Sequence, residues 1–442
     1  MTGKKRLIWA LYWSWTLFNL PLPLWADCGP CSGPYCSTGR DSGGGGTTKA
    51  EVFDQAGFVN SIGSDTGPST GDVGGNLGNT GITKFLSQCD FDPCYTITEP
   101  GVYVLGEPIV IKDMDSCPSS CALTIAVSDV TVDLAGFSIV YGDAGTDDYL
   151  DGINGICISP GVANVTIKNG AIRKFTGAGI NADTSSASSS IQQVVLADLM
   201  VDNNNIGVKF KGGSSQLIKR INITNSTMSA NAKSGVELTY VETAKLVSST
   251  ASENINSGSN LFGTAFSSAA DKIAYGVVMT SCSNVDLFEF DTEYNKSQTA
   301  STNAYGMRTI GCNKIFFTTC NSDYNVAGSG GASYGIALTS ITSGVNTTNC
   351  ILDKNNVEEN GTGIFDDSGT SVGSPDNPTS TSAFTGNFAF NNSTANYNAI
   401  LQTGPVVNLG DNPNFITKTV TSSDVQATDN IGKLWNIAMT SP

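Results

Sequence analysis

A glycine followed by an aliphatic residue or methionine recurs along most of this chain at nearly constant intervals. The pairs begin at Gly155, Gly179, Gly207, Gly235, Gly276, Gly306, Gly335 and Gly363, so the intervals are 24, 28, 28, 41, 30, 29 and 28 residues. Most pairs are followed by a strand-like run, a turn containing asparagine, a second strand-like run and a closing asparagine. A unit of this size without a helix cannot bury its apolar side alone. The sequence therefore predicts a solenoid of stacked coils.

The secondary structure predicted between the repeat glycines is entirely β. Short runs such as 95–97, 102–105 and 130–134 are rich in valine, isoleucine, leucine and tyrosine, and each ends at Gly, Pro, Asp or Asn. No segment after residue 90 has a sustained apolar period of about 3.6 residues with helix caps. The single long interval contains the polar stretch 254–271, which is rich in Gly, Ser and Ala. We interpret this stretch as a loop that leaves an otherwise regular coil.

Three longer phrases carry a family resemblance together with the glycine series. They are 95–105 (YTITEPGVYVL), 130–139 (VTVDLAGFSI) and 164–172 (NVTIKNGAI). Over roughly residues 95–400 the chain resembles the secreted parallel β-helix proteins of the pectate-lyase-like superfamily. The resemblance implies an all-β, single-stranded right-handed parallel β-helix of about 9–11 coils. It implies no single activity, because the superfamily includes lyases, hydrolases, epimerases, phage tailspikes and adhesins.

Composition divides the chain into four segments. Residues 1–26 are predicted to be a signal peptide, because Lys4, Lys5 and Arg6 precede an apolar stretch that ends before Ala26. An uncleaved anchor is the alternative. We expect 27–90 to be a Cys/Gly/Ser-rich linker or irregular cap, 91–400 the β-helix, and 401–442 a C-terminal cap. These segments predict a protein that is secreted, extracytoplasmic or at the cell surface, with no membrane span after signal cleavage.

Twelve cysteines fit an oxidising compartment, in which paired thiols become disulfides. Seven of them lie in the first 121 residues, so a stapled N-terminal region is expected, with its connectivity open. Cys282 and Cys312 each follow a repeat glycine by six residues, and Cys320 and Cys350 follow theirs by fourteen and fifteen. Each pair is expected to occupy equivalent rungs, as an internal ladder of thiols or, alternatively, as disulfides.

Charge and composition exclude several function classes. The net charge is −16, and removal of residues 1–26, with three cations and no acid, gives 20 − 39 = −19. Nucleic acid and anionic membrane are therefore not expected as partners. The chain contains no histidine. Ser/His and Cys/His nucleophile pairs and histidine-ligated metals are therefore ruled out.

Candidate catalytic residues come from carboxylates and from isolated cations. Glycoside hydrolysis needs two carboxylates, and the doublets Asp147–Asp148 and Asp366–Asp367 are the candidates. The resemblance implies that a lyase would instead use a lysine or arginine base with calcium, for which Lys209, Arg220 and Arg308 are the candidates. Lys209 and Arg308 each stand two residues after a repeat glycine, which predicts a shared face. Solvated turns and scattered surface cations are the alternative interpretations.

The segment 142–152 is a candidate calcium loop. Its carboxylates supply the hard oxygen ligands that Ca²⁺ prefers, although the EF-hand pattern is absent, and no other cofactor is expected. The candidate ligands are Asp143, Asp147, Asp148 and Asp151.

Aromatic side chains on a flat sheet favour contact with sugar faces. The alternative is an internal aromatic ladder with tyrosines that pack at turns. Two function classes therefore stay open. The first is an exported surface or matrix protein that presents a polar face for adhesion or glycan binding without catalysis, its partner a polysaccharide or cell-surface glycan. The second is a carbohydrate-active enzyme, either a polysaccharide lyase or a glycoside hydrolase. The sequence specifies neither the ligand nor the oligomeric state. The candidate glycan-binding residues are Phe288, Phe290, Tyr275, Tyr305 and Tyr334.

Overall fold

The computed structural model describes residues 82–91, 94–112, 114, 117, 120–142, 151–260, 263–266, 268, 270–340, 347–366, 383–385 and 387–399. All of them belong to one compact unit, Leu77–Pro442. The expected signal peptide and the expected C-terminal cap lie outside the described residues, as does most of the expected linker.

Strands make up nearly all the regular structure, and the described residues contain no α-helix. Two short 3-10 helices occur, at Gln88–Asp90 and Ala270–Lys272. The first fourteen strands are β1 (Ile82–Leu86), β2 (Tyr95–Ile97), β3 (Gly101–Leu105), β4 (Ile109–Ile111), β5 (Cys121–Ile125), β6 (Val130–Asp133), β7 (Ser138–Tyr141), β8 (Asn154–Ile158), β9 (Ala163–Arg173), β10 (Ala178–Asp183), β11 (Gln192–Asp202), β12 (Ile206–Lys211), β13 (Lys219–Thr224) and β14 (Ser234–Thr239). The remainder are β15 (Ala244–Val247), β16 (Ile255–Asn256), β17 (Ala274–Thr280), β18 (Ser283–Phe288), β19 (Lys296–Ser297), β20 (Ala304–Ile310), β21 (Asn313–Thr318), β22 (Ser333–Thr339), β23 (Ile351–Asp353), β24 (Asn356–Glu358), β25 (Thr362–Asp366), β26 (Ala383–Thr385), β27 (Phe388–Phe390) and β28 (Ala395–Ala399).

The described strands form two long sheets and two short ones, β16-β19 and β24-β27, and every strand pair is parallel. The sheet that begins each repeat has eleven strands in the order β2-β5-β8-β10-β12-β14-β17-β20-β22-β25-β28. The second has thirteen, with β1-β3-β6-β9-β11-β13-β15-β18-β21-β23-β26 as its main path. Because each sheet takes one strand from every successive coil, the chain is a parallel β-helix, as the sequence predicts. Its eleven rungs agree with the expected number of coils.

The solenoid begins earlier than the expected boundary at residue 91. Strand β1 pairs in parallel with β3, from Ile82 opposite Gly101 to Leu86 opposite Leu105. Strand β1 lies within 27–90, the segment that the sequence predicts to be a linker or irregular cap, because a single five-residue strand precedes the first recognisable repeat.

Alternate side chains along each strand point inward and stack on the same position of the next coil. Val208 and Phe210 of β12 are fully buried, and their register partners in β14 are Val236 and Leu238. Apolar burial of this kind stabilises the fold by roughly 25 cal/mol per Å². The repeat glycine is required by close approach, since a Cβ on Gly207 would lie 2.5 Å from the carbonyl oxygen of Gly235.

The closing asparagines form a buried ladder along the solenoid. The side-chain Oδ1 of each accepts a hydrogen bond from the backbone N–H of the asparagine one coil earlier, at 2.9–3.2 Å. The closing asparagines Asn295 and Asn325 both belong to this ladder. Asn355 instead donates its N–H to the Asn387 Oδ1 in a second, shorter ladder. The rungs of the main ladder are Asn204, Asn231, Asn254, Asn295, Asn325, Asn360 and Asn392.

Disulfides join Cys94 to Cys117 and Cys121 to Cys157, so the described N-terminal coils are stapled as predicted. Cys28, Cys31 and Cys36 lie outside the described residues.

The internal cysteines only partly follow the expected pairing. Cys282 and Cys312 are buried free thiols on neighbouring rungs, where the Cys282 N–H donates to the Cys312 Sγ at 3.3 Å. Cys320 and Cys350 are not on equivalent rungs. The register places Phe316 opposite Ile351, so the counterpart of Cys320 is Asn355, whose Oδ1 accepts the Cys320 N–H. Counting from the repeat glycines gave the wrong pairing because the connection from β22 to β23 is longer than the connection from β20 to β21, although the glycine interval is nearly unchanged.

Candidate functional site

The outer face of the eleven-stranded sheet carries a row of polar side chains. Parallel register places Asn181 beside Lys209, and Lys209 beside Glu237. The same row continues through Val278 to Arg308. Lys209 and Arg308 therefore share a face, as their spacing predicts. They are three strand spacings apart, or about 14 Å, so they do not act on the same atom.

A loop folded over this face creates a concave site. The inserted loop (residues 257–273, between β16 and β17) includes the polar stretch that the long repeat interval predicts. It reaches Asp151, which precedes β8 and is four strands from β17 in the sheet. There the Asn260 amide donates to Asp151 Oδ1 at 2.8 Å. The enclosed space has a volume of about 380 Å³, which lies within the usual range of small-ligand pockets.

This space is the polar cavity, and its walls come from two parts of the chain. The sheet side includes Asp151, Asn154, Asn181, Asp183, Asn205 and Lys209. The inserted loop contributes Asn260, Phe266 and Asp271.

Asn256 ties the inserted loop to the solenoid. Its side-chain amide is buried and donates to the carbonyl oxygens of Asp271 and Ile273, at 2.7 and 3.1 Å. Its Oδ1 accepts the N–H of Gly258 at 2.9 Å. Farther out, Phe266 N–H donates to the Gly258 carbonyl. Both ends of the loop are therefore fixed to one buried side chain, which holds the cavity in a defined shape.

The carboxylates of the cavity accept hydrogen bonds from other side chains of the protein. A hydrogen bond from Ser268 lowers the pKa of Asp271, burial opposes this effect, and the neighbouring Lys233 ammonium at 3.1 Å lowers the pKa further. Burial alone would raise the pKa of Asp183, but hydrogen bonds from Ser185 and the charge of Lys211 hold it below its ordinary value. Both groups therefore carry a full negative charge at neutral pH.

Three groups in the cavity have unused hydrogen-bonding capacity. Lys209 has neither an ion pair nor a hydrogen bond within the described part of the chain, although its charge contributes to lowering the pKa of Asp271. The Asn181 side chain likewise has no described partner. The Asn205 Oδ1 is buried without any hydrogen-bond donor. Buried polar atoms are almost always satisfied, so the Asn205 Oδ1 is an unsatisfied acceptor on a residue that lines the cavity.

The remaining catalytic candidates do not converge on this cavity. Asp366 is fully buried in β25, which leaves its carboxylate no exposed surface for a substrate. Arg220 lies on β13 of the other sheet, beside Gln192. Asp143, Asp147, Asp148 and Asp367 lie outside the described residues. Of the calcium candidates only Asp151 is described, and no group of three potential ligands that could hold a metal occurs among the residues that were placed.

Most of the aromatic candidates for glycan binding pack against other side chains instead of being exposed. Tyr275, Tyr305 and Tyr334 stack in sequence, with ring centroids 5.5 and 4.9 Å apart, and the first two are buried. The Arg308 guanidinium lies 4.5 Å from the centre of the Tyr305 ring and donates to the Tyr275 hydroxyl. Phe290 is fully buried, which leaves no ring surface for a sugar, whereas Phe288 is exposed. Strand β18 ends at Phe288, and the left-handed backbone of Glu289 (φ 51°) interrupts the alternation before Phe290.

A second polar surface was not predicted. The tyrosine pair Tyr294 and Tyr324 stacks at 4.9 Å with nearly parallel rings, and the side chains are 50% and 39% exposed. Each has a positive φ, of 55° and 53°, which is unusual for an aromatic residue. The recurrence of Tyr-Asn thirty residues apart is the sequence signal that could have revealed the pair.

Carboxylates with raised pKa values lie beside the tyrosine pair. Burial, together with the charge of Asp291, raises the pKa of Glu293. Burial and the charges of Glu358 and Glu293 raise the pKa of Asp323 to about 7, against hydrogen bonds from the Glu358 N–H and Asn321. Burial also raises the pKa of Asp291 and, together with the charge of Glu359, that of Glu358. We call Asp291, Glu293, Asp323 and Glu358 the acidic cluster.

Neither a family model nor a curated protein matches the sequence. Among solved structures, the chain is similar to the A-module of the mannuronan C-5 epimerase AlgE6 of Azotobacter vinelandii, with 13% identity, a TM-score of 0.36, and coverage of 75% of this chain and 89% of that one. It is also similar to the Streptococcus pneumoniae surface protein and adhesin PfbA, with 12% identity, a TM-score of 0.39, and coverage of 74% and 93%. Similarity at this level carries no information about activity.

The described residues contain no helix of the length and apolarity that a membrane span requires.

Proposed function

We propose that this chain is an exported glycan-binding protein that holds its ligand on the outer face of the eleven-stranded sheet without chemical turnover. The observation that carries the proposal is the polar cavity, a preformed concave site on an otherwise flat sheet. Amides, hydroxyls, a cation and the Phe266 ring line it or border it. Sugars bind to such mixtures, since ring faces pack on aromatic side chains and hydroxyls bond to amides.

The state of the carboxylates supports binding rather than hydrolysis. A glycosidase needs one carboxyl group that is still protonated near neutral pH, and therefore has a raised pKa. In the cavity the pKa values of Asp183 and Asp271 are lowered, and Asp151 accepts a hydrogen bond from Asn260. Neither Asp183 nor Asp271 therefore has the properties of a general acid. Two disulfides support the export that the proposal assumes, because such bonds persist in oxidising compartments.

The second candidate function is a carbohydrate-active enzyme, which the acidic cluster favours. Asp323 has a pKa of about 7, which suits a general acid. However, its side chain is only 4% exposed and accepts the Glu358 N–H at 2.8 Å. A substrate oxygen would have to displace neighbouring side chains to reach it, which is why binding is the preferred proposal.

A turnover assay combined with a binding assay tests the proposal. The purified protein is incubated with neutral and acidic polysaccharides, with and without Ca²⁺, from about pH 5 to about pH 10. We expect retention on at least one immobilised glycan, with no new reducing ends and no unsaturated uronate absorbance. Turnover that disappears in Asp323→Asn, and persists in the exposed control Glu99→Gln, would establish the enzyme instead. Loss of turnover in Lys209→Ala, Arg220→Ala or Arg308→Ala would indicate a lyase.

A further inference from the structure

The polar cavity has a charge balance that selects among sugars. Its lining includes three carboxylates, Asp151, Asp183 and Asp271, and one ammonium, Lys209. Lys211 and Lys233 pair with Asp183 and Asp271 from just outside the lining. Lys233 also pairs with Glu237, which stands beside Lys209, so three positive charges face four negative ones. A carboxylated sugar would lose its hydration in a site that offers no excess positive charge in return.

The unused polar atoms define what a ligand must supply. Asn205 Oδ1 needs a hydrogen-bond donor, because it is buried without one. Lys209 has only N–H groups to offer, so it needs an acceptor. Asn181 stands beside Lys209 in the same row and supplies both kinds of group. A sugar hydroxyl is donor and acceptor at once, so a ligand with several hydroxyls matches all three side chains.

The inserted loop adds an apolar wall. Phe266 is half-buried at the cavity, and its backbone is fixed by the hydrogen bond to Gly258. A ring held in this way offers a surface on which the C–H face of a sugar packs.

We infer that the polar cavity binds one neutral, polyhydroxylated sugar residue of the glycan, with Asn205 and Lys209 as its specificity-determining side chains. This inference rests on the proposed function. It narrows the ligand from glycans in general to a neutral sugar residue bound in the polar cavity. Asn205 Oδ1 accepts from one hydroxyl and Lys209 donates to another, while Asn181 bonds between them.

The test compares two single variants with a matched control. Asn205→Leu removes the unsatisfied oxygen and keeps the branching of the side chain, and Lys209→Met removes the free ammonium. Asn222→Leu is the control, because Asn222 is also a half-buried amide but lies on β13 of the other sheet. The probes are immobilised neutral oligosaccharides (gluco-, xylo- and N-acetylglucosamine oligomers) and acidic ones (oligogalacturonate and oligomannuronate), applied to the full chain.

We expect the wild-type protein and Asn222→Leu to bind a neutral oligomer, and both cavity variants to bind it at least tenfold more weakly. The melting temperature of Asn205→Leu should be unchanged or higher, since an unsatisfied buried polar atom destabilises the fold. A purely structural role for Asn205 predicts the reverse, a lower melting temperature with unchanged affinity. If Asn205→Leu does not fold, Lys209→Met alone tests the inference, because the Lys209 side chain is partly exposed and its replacement is compatible with folding.

Two results would overturn the inference and leave the proposed function in place. One is preferential binding of uronate oligomers that the cavity variants weaken. The other is neutral binding that both variants retain, which would locate the ligand elsewhere on the sheet. Absence of binding to every probe would overturn the proposed function as well.

Discussion

Replacing Asp323 with asparagine should stabilise the protein at alkaline pH and leave its stability unchanged in acid. In the folded protein, burial and the charges of Glu358 and Glu293 raise the pKa of Asp323 from its ordinary 3.8 to about 7. A carboxyl group whose pKa is higher in the folded state binds its proton more tightly there. Its contribution to stability is therefore fully present below about pH 4 and is lost as the pH rises through about 7.

The size of the effect follows from the difference in pKa. Each tenfold change in acidity corresponds to about 1.4 kcal/mol, so the interval from 3.8 to about 7 corresponds to at most about 4 kcal/mol. The neighbouring carboxylates of Glu293 and Glu358 are partly exposed and screened by water, so we expect roughly half of this, about 2 kcal/mol. Asparagine keeps the side-chain oxygen that accepts the Glu358 N–H and removes only the charge.

The assay is urea unfolding of the wild-type protein and Asp323→Asn at about pH 3.5 and about pH 8.5. The two proteins should unfold together in acid, and the variant should be more stable by about 2 kcal/mol in base. Glu99→Gln is the control, because it removes one negative charge from an exposed side chain distant in sequence from the acidic cluster. Equal stability of wild type and variant at alkaline pH, or destabilisation of the variant at both pH values, would refute the reasoning.

Three further predictions concern the solenoid and the loop beside the cavity. Gly207→Ala should destabilise the protein by about 3 kcal/mol in urea unfolding, because the new methyl group would lie 2.5 Å from the Gly235 carbonyl oxygen. Gly106→Ala is the control. Its methyl group would lie 3.6 Å from the Leu86 carbonyl oxygen, which is an ordinary contact, so it should destabilise the protein far less. Asn295→Ala should lower the free energy of unfolding by about 2–3 kcal/mol, since it removes the acceptor of the Asn254 N–H at 3.2 Å. If Asn295→Ala lost less stability than Asn222→Ala, which removes a half-buried amide, the result would contradict a stabilising role for the ladder. If residues 142–152 bind calcium, millimolar Ca²⁺ should raise the melting temperature of the wild type but not of Asp148→Asn; an unchanged melting curve for both proteins would count against this site.

The fold could be predicted because a solenoid repeats its constraints. Every coil needs a small residue where Gly207 and its counterparts approach the next strand, and an amide where Asn295 and its counterparts bridge coils. Each requirement therefore appears several times in the sequence and is visible without knowledge of the fold. One error arose where the connection between the two sheets changes length within a coil of ordinary size. The longer connection from β22 to β23 makes Asn355, rather than Cys350, the partner of Cys320.

The candidate site could be predicted only in part, because its residues come from distant points in the sequence. Lys209 followed from its position after a repeat glycine, and Asp151 from its acidic loop. Nothing in the sequence brings Asn260 to Asp151, since they are 109 residues apart and meet only after the inserted loop folds back. Burial of Asp366 was equally hidden, because a doublet of aspartates looks the same in an exposed turn as at the end of a buried strand.

The location of the cavity follows from the one irregular interval of the repeat. Regular coils place equivalent side chains side by side, as in the row from Asn181 through Lys209 to Glu237, and such rows make flat faces. A flat face cannot surround a small ligand, so a concave site requires chain that the coil does not use. The 41-residue interval supplies this additional chain. Asn256 connects the solenoid to the inserted loop, since it lies buried in β16 and donates two hydrogen bonds to the end of the loop. In this solenoid the departure from the repeat, rather than the repeat itself, is therefore where ligand selectivity can be built.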